Sequence, residues 1–317
     1  MRVVFMGTPS YAVPVLEILQ LSADLDVVAV VTPPDRPRGR GQSMEATPVK
    51  VAAQKADIPV FQPASLRPSH VQEELASLNA DVSVVAAYGK LLPANVLDLP
   101  RHGCLNIHPS LLPRYRGPSP VVTALLEGLE TTGVTLMLLD EGMDTGPILV
   151  QEEYRLRGDE TAGSLTEELF RVGGRLLVEN LGPWAGGQLE ATKQDESQAT
   201  LTRKVERTDG RADWNLAAAE LERRQRAFTP WPGLFTQWQG KIVRLLDVKA
   251  MDPPGDGLEY EPGQIGLVQG LGLTEVPLGV GTANGILGIK TLQLEGRRAA
   301  TAEEFMRGYP HFPGSYL

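Results

Sequence analysis

Two short apolar runs, residues 2–7 and 26–32, flank a stretch in which Val15, Ile18, Leu19 and Leu21 fall at helical spacing. Strand, amphipathic helix and strand within about 30 residues make a β-α-β unit, and strands joined through a crossover helix lie parallel. A chain that opens this way builds an α/β domain, with helices covering both faces of its sheet. The alternation continues. Helices are expected near 49–55, 71–78, 121–127 and 164–181, and strands at 60–61, 82–87, 103–108 and 133–139, with an alternating edge strand at 150–156. The pattern predicts a doubly wound, mostly parallel, Rossmann-like sheet.

The pattern then changes. Residues 186–202 are polar and weakly patterned, which suits a connection between domains. A charged helix is expected over 216–228. After it, short strand-like runs at 235–238, 241–250, 264–268, 276–280 and 286–294 alternate with glycine turns, the signature of a small, OB-like β-barrel. Residues 252–262, rich in proline, glycine and acids, read as a loop. The 317 residues therefore divide into an α/β domain over 1–188, a linker over 189–204 and a C-terminal β-barrel over 205–317.

Several function classes lose their support. No run of about 18 apolar residues exists to span a membrane, and the first seven residues enter a turn too early for a signal peptide. A single cysteine, Cys104, excludes an intramolecular disulfide and fits a reducing, cytoplasmic setting. Four scattered histidines make no metal cluster, so no metal is expected. No nucleophile elbow or Walker-type loop occurs. Gly7-Thr8-Pro9 stands where a dinucleotide fingerprint would, but its proline blocks the close phosphate approach, so a nicotinamide cofactor is not expected. Ser10 is the natural N-cap of the helix that follows.

The net charge of −9 argues against a general nucleic-acid binder, yet its distribution is uneven. From Arg203 onward 14 Lys and Arg face 14 Asp and Glu, which leaves 16 against 25 before it. The C-terminal part is thus relatively electropositive and suits a local basic contact. Nothing demands more than a monomer.

The segment from Asn106 to Gly117 carries the chemistry. Asn106 and His108, two apart on a strand, point to one face. Pro109 and Pro113 stiffen the turn beyond them, and carboxyl ends of strands are where open α/β sheets bind ligands. Asp144, in Gly-Met-Asp-Thr-Gly, is turn chemistry by itself and becomes catalytic only if it pairs with His108. An amide, an imidazole and a carboxylate make a polar acyl-transfer site.

Asn-Ile-His-Pro-Ser-Leu-Leu-Pro-Arg-Tyr-Arg-Gly (106–117), with Gly-Met-Asp-Thr-Gly (142–146) downstream, resembles the signature of the 10-formyltetrahydrofolate-dependent formyltransferases. Three further segments, 34–41, 47–50 and 226–233, resemble the branch whose acceptor is initiator methionyl-tRNA. The resemblance runs over nearly the whole chain. It implies catalytic positions for Asn106, His108 and Asp144. It places Ser110, Leu111, Leu112 and Pro113 against the folate, with Tyr88, Gly89, Lys90, Leu91 and Leu92 walling the pocket. Arg36, Arg38 and Arg40, in the long loop after the second strand, would meet the tRNA acceptor end. Lys204, Arg207, Lys241, Arg244, Arg297 and Arg298 are further tRNA-facing candidates.

The implied reaction moves the formyl group from N10 of 10-formyltetrahydrofolate to the methionyl α-amine. Attack on the formyl carbon makes an oxyanion for which the Asn106 amide and a His108 N–H are suitable donors. Asp144 would orient and stabilise the imidazolium. Other readings stay open. A formyltransferase for glycinamide ribonucleotide would not need residues 203–317, and one for an amino-sugar nucleotide would not need the Arg36–Arg40 loop. A formylfolate hydrolase would use the same residues, and a silent folate- or tRNA-binding module would not need all three polar groups.

Overall fold

In the computed structural model, which describes residues 1–38, 43–252, 260–268 and 276–317, the chain opens with the β-α-β unit that the apolar spacing requires. Strand β1 (Arg2–Gly7) leads through a 3-10 turn at Ser10–Ala12 into α1 (Val13–Leu21) and returns as β2 (Asp26–Val31), parallel to β1. Ser10 is not the N-cap. It opens the 3-10 turn, and α1 begins after Ala12 with proline in its first turn, where the missing N–H costs no hydrogen bond.

Beyond β2 the expected arginine loop is a hairpin: β3 (Arg36–Arg38) pairs antiparallel with β4 (Ser43–Glu45), Arg36 opposite Glu45. Arg40 and the side chain of Arg38 lie outside the described residues. Then follow α2 (Pro48–Lys55), capped by the Thr47 hydroxyl, β5 (Val60–Phe61), α3 (Ser69–Ser77), β6 (Val82–Ala86), α4 (Ala94–Leu97) and β7 (Cys104–His108). The run ends with α5 (Pro120–Glu127), β8 (Thr131–Leu138), β9 (Ile148–Arg155) and α6 (Ala162–Ala185). The sheet order is β5-β2-β1-β6-β7-β8-β9. The first five strands are parallel, and β8 and β9 each run against their neighbour. Strand order reverses between β1 and β6, so the loops after these two strands flank a topological switch point, with those after β2 and β7 next to them.

Alternation sends successive side chains to opposite faces. Val4, Met6, Ala29, Val31, Val85 and Cys104 pack on one face against Val71, Leu75 and Val96. Ile107 points the other way, toward α6. There a Cβ on Gly173 would collide with Ile107 Cγ2, and one on Gly174 would lie 2.9 Å from Ile18 Cδ1. These adjacent glycines let one helix lie close to both the sheet and α1.

Contacts divide the chain into two units. Met1–Pro120, Glu130–Leu156 and Ser164–Arg203 form the first; Val121–Leu129, Arg157–Gly163 and Lys204–Leu317 form the second. Two short excursions of the N-terminal half, including most of α5, therefore belong by contact to the second unit.

The second unit adds α7 (Ala218–Ala227), β10 (Leu234–Trp238), β11 (Lys241–Met251), β12 (Ile265–Leu267), β13 (Leu278–Gly281), β14 (Ile286–Leu294), β15 (Ala300–Thr301) and α8 (Ala302–Gly308). Its curled antiparallel sheet has the order β10-β11-β14-β13-β12, with β15 beside β14. Gln239 and Gly240 join β10 to β11 with φ of 48° and 75°, the left-handed pair that a two-residue hairpin needs. Trp238 anchors the core edge-on to Phe312, ring centroids 5.0 Å apart. Helix α8, absent from the sequence pattern, is started by a capping box between Thr301 and Glu304.

Candidate active site

Strand β7 sets Asn106 opposite Val85 and Met137, and His108 opposite Thr135. The two side chains share a face, as their spacing requires. Beyond His108 the turn is fixed from below by Thr135, which is fully buried. Its hydroxyl donates to Ser110 O (2.6 Å) and accepts from Leu112 N–H (3.0 Å) and Gln151 Nε2 (2.8 Å). Gln151 Nε2 also donates to Leu112 O at 2.9 Å. The buried Thr135 hydroxyl and the amide of the exposed Gln151 thereby satisfy backbone groups that the prolines leave without ladder partners.

His108 is buried, and its two nitrogens meet different oxygens. Nε2 lies 3.0 Å from Tyr115 O. A carbonyl can only accept, so Nε2 carries the proton and the neutral ring keeps its lone pair on Nδ1. Nδ1 faces Asp144 Oδ1 at 3.7 Å, a Coulombic contact too long for a hydrogen bond. The other oxygen, Asp144 Oδ2, accepts from Gly117 N–H at 2.7 Å. Burial pushes the imidazole below the ordinary histidine range, against the opposite pull of Asp144 and then of the Tyr115 carbonyl. The ring is therefore neutral near pH 7, with Nδ1 as its basic atom.

Asn106 is half-buried, and among the described residues its amide has no hydrogen-bond partner. It is the polar group on this face that the fold does not itself use.

The segment read as a linker is pinned to this site. Thr192 exchanges both backbone hydrogen bonds with Ile148 (2.8 Å each). Gln194 and Glu196 bind the Arg116 guanidinium, and Thr200 Oγ1 accepts from Tyr115 N–H at 2.8 Å. None of these contacts has a periodic signature, and sequence reasoning missed Arg116, Thr135, Gln151, Gln194 and Thr200.

The sequence has close relatives over both units. A family profile described as Formyl transferase matches residues 1–181, and one described as Formyl transferase, C-terminal domain, matches residues 204–310. The methionyl-tRNA formyltransferase of Roseiflexus sp. (strain RS-1) is 44% identical over 314 residues, covering 97% of this chain and 92% of that protein. That of Chloroflexus aggregans is 51% identical over 246 residues, 78% of this chain and 79% of its own. The chain belongs to the methionyl-tRNA formyltransferase family. The fold recurs more distantly in HypX from Aquifex aeolicus, solved in complex with tetrahydrofolic acid: TM-score 0.64 and 18% identity over 99% of this chain and 48% of that one.

For a methionyl-tRNA formyltransferase family member, the other sequence candidates divide into buried and accessible. Tyr88 and Leu92 belong to the core under the sheet. Tyr88 O accepts from Thr8 Oγ1 (2.9 Å), and burial pushes its phenol up to about 12. Ser110 and Leu112 are buried, and Ser110 Oγ is committed to Arg114 O at 2.8 Å. Leu111 and Pro113 are half-exposed, whereas Gly89 is exposed and Leu91 is 73% exposed. Lys90 Nζ donates to Pro63 O (3.2 Å) and Ala64 O (2.8 Å); burial, and then the Arg36 charge, lowers its pKa.

Arg36 is exposed at the start of the hairpin, whose base is tied by Asp35 to Lys50 Nζ (2.6 Å) and Gln62 Nε2 (2.7 Å). In the second unit Lys204, Arg207, Lys241, Arg244, Arg297 and Arg298 are all exposed. Lys241, Arg244 and the Arg297–Arg298 pair lie near one end of the sheet. Glu295 N–H donates to Ile242 O at 2.8 Å there, and Gln293, opposite Arg244, donates to Arg297 O at 2.9 Å. Among the described residues no group of three or more His, Cys, Asp or Glu is arranged to hold a metal, and no helix is long and apolar enough to cross a membrane.

Proposed function

We propose that this chain transfers the formyl group of 10-formyltetrahydrofolate to the α-amine of methionine esterified to initiator tRNA. The observation that carries the chemistry is the pairing of a basic His108 Nδ1 with Asp144, on the same strand face as the unpartnered Asn106 amide. The α-amine has a reference pKa of about 7.7–8.0, so a neutral, nucleophilic fraction exists near pH 7 and positioning dominates activation.

The amine nitrogen attacks the formyl carbon, and the carbonyl oxygen takes the electron pair. The Asn106 N–H donates to that oxyanion. His108 Nδ1 takes a proton from the attacking nitrogen and becomes an imidazolium, which Asp144 stabilises. The same Nδ1–H returns the proton to N10 as its bond to the formyl carbon breaks. Atoms and charge balance with one ring nitrogen acting first as base and then as acid. Because Nε2–H is held by Tyr115, a His108 N–H reaches substrate only after Nδ1 is protonated.

The folate is taken to lie along residues 87–92 and 110–113, which follow the neighbouring strands β6 and β7. Arg36, Arg38 and Arg40 would meet the acceptor end, as guanidinium groups suit phosphates and unpaired bases. The exposed basic residues of the second unit are taken to contact the tRNA body. The acceptor implies a cytoplasmic setting, and we take the enzyme to act there as a monomer.

A formylation assay offering methionyl-tRNA, free methionine and glycinamide ribonucleotide as acceptors tests the reading. Methionyl-tRNA should be the preferred acceptor by a wide margin. Preference for either small amine, or folate deformylation at the same rate without any acceptor, would overturn it.

A further inference from the structure

Asp144 is held from behind as well as through its carboxylate. Gln194 Nε2 lies 2.8 Å from Asp144 O and 2.7 Å from Gly146 O, so one amide group bridges two carbonyls of the same turn. Gln194 Oε1 accepts from Arg116 Nε at 3.0 Å and from Arg116 Nη2 at 2.8 Å. A guanidinium has only donors, so Arg116 dictates which end of the amide faces the Asp144 turn. Arg116 itself is 4% exposed. It also grips the Glu196 carboxylate through Nη1 (2.9 Å) and Nη2 (2.7 Å). That two-point grip restricts rotation of the planar group.

Asp144 needs such support. Its φ of 56° is left-handed, a conformation that aspartate tolerates better than most non-glycine residues but that still costs energy its surroundings must offset. On the other side of His108, Thr200 anchors Tyr115, whose carbonyl receives Nε2–H. Both partners of the imidazole are thus tied to the stretch from Gln194 to Thr200.

We infer that Gln194 is a positioning residue for formyl transfer. It holds the Asp144 turn so that the carboxylate faces His108 Nδ1, and the Arg116–Glu196 pair holds Gln194. The inference rests on the reading of Asp144 and His108 as reacting groups. Gln194 acts through Asp144 and touches no substrate.

Single-turnover formylation of methionyl-tRNA with excess enzyme tests this on five proteins: the parent, Gln194→Met, Gln194→Glu, Asp144→Asn and the Gln194→Met/Asp144→Asn pair. Gln194→Met removes both donors at nearly constant volume and should slow the step about 10- to 100-fold, as loss of catalytic alignment does. Gln194→Glu keeps an acceptor for Arg116, and so the local fold, but turns one carboxylate oxygen toward the two carbonyls in place of the N–H donors. It should be as slow, and it carries the test if Gln194→Met does not fold. With Asp144 already replaced, Gln194→Met should slow the reaction by less than about threefold, because residues acting as one unit are not additive. Parent-like rates in both Gln194 variants would overturn the inference. Equal slowing in both backgrounds would do so too, since that is what a merely structural side chain produces. Parent-like turnover by Asp144→Asn would instead overturn the reading of Asp144 beneath it.

Discussion

His108 stands between two unlike oxygens: Tyr115 O, 3.0 Å from Nε2, and Asp144 Oδ1, 3.7 Å from Nδ1. The nearer one fixes the tautomer, and the farther one is too distant to hydrogen-bond Nδ1, which bonds none of the described residues. Asn106 sits two residues earlier on the same strand face, with an amide that bonds none of the described residues. Asn106→Ala should therefore cost little stability and lower kcat about 10²- to 10³-fold, the usual loss for one oxyanion donor. KM for the folate should stay nearly unchanged. Steady-state kinetics decide the matter, and normal kcat in a folded variant removes Asn106 from the chemistry.

The imidazole also predicts a pH response. Burial holds its pKa in the folded protein below the unfolded reference of about 6.5. The unfolded chain then binds more protons between that value and the lower folded one. Stability contributed by the neutral ring is present above about pH 6.5 and is lost as pH falls through the folded pKa. Asp144 pulls the other way, favouring the charged ring. Asp144→Asn should accordingly make His108 titrate at still lower pH, while slowing turnover. Nitrogen chemical shifts of the ring followed against pH would report this. A rise in its pKa on removing the carboxylate would contradict the assigned contact.

Sequence made the parallel half of the fold readable because β1, α1, β2, β6 and β7 each carry their apolar period within one short stretch. The β3–β4 hairpin left no such trace: its strands have three residues each, one of them Pro37, and no alternating apolar face. Helix α8 is a single short segment directly continuous with β15, and its capping box is hidden among polar residues. At the site, Asn106 and His108 were legible from strand spacing, and Asp144 from turn chemistry supported by resemblance. Gln194 was not, because its partners lie 48 to 78 residues away and are backbone carbonyls and a guanidinium. A side chain whose task is to bond another element's backbone obeys no local period. For that reason a weakly patterned polar stretch reads as a linker even where it is docked.

The residue that leads into the hairpin at Arg36, Asp35, is fixed by two side chains outside it. Lys50 and, secondarily, Gln62 hydrogen-bond its carboxylate and lower its pKa, so it remains charged in any neutral assay. Gln62 also donates to Pro33 O at 2.9 Å, tying both ends of this approach. Asp35→Ala should loosen the base of the hairpin. KM for methionyl-tRNA should rise several-fold, with KM for the folate unchanged. Equal changes in both constants would show that the hairpin does not act on the tRNA side alone.

Thr135→Val keeps the side-chain volume and removes the hydroxyl. Leu112 N–H would lose its acceptor, Ser110 O its donor, and Gln151 one of its two contacts. Each buried group left unpaired costs about 1–3 kcal/mol. The change should lower the urea midpoint clearly and reduce kcat, because the turn bearing Tyr115 starts from these bonds. A Thr135→Ser variant retains the hydroxyl and should keep most of the activity, which separates loss of the bonds from loss of the methyl group.

Gly173 tests the packing beneath the same strand. Alanine in place of glycine inside α6 would favour the helix by up to about 1 kcal/mol. Its Cβ, however, would meet Ile107 Cγ2 and come within 3.0 Å of Val134 Cγ1. Ile107 is β-branched and locked on a central strand, so it has few ways to yield. Overpacking of this kind costs about 1–3 kcal/mol, and the clash should outweigh the propensity. Gly173→Ala is expected to be less stable than the parent in urea. Ile107 stands between Asn106 and His108, so kcat should fall with it even under conditions where the variant stays folded. A variant of equal or greater stability would mean that α6 can move off the sheet, and that the placement of β7 does not depend on how closely the helix lies behind it.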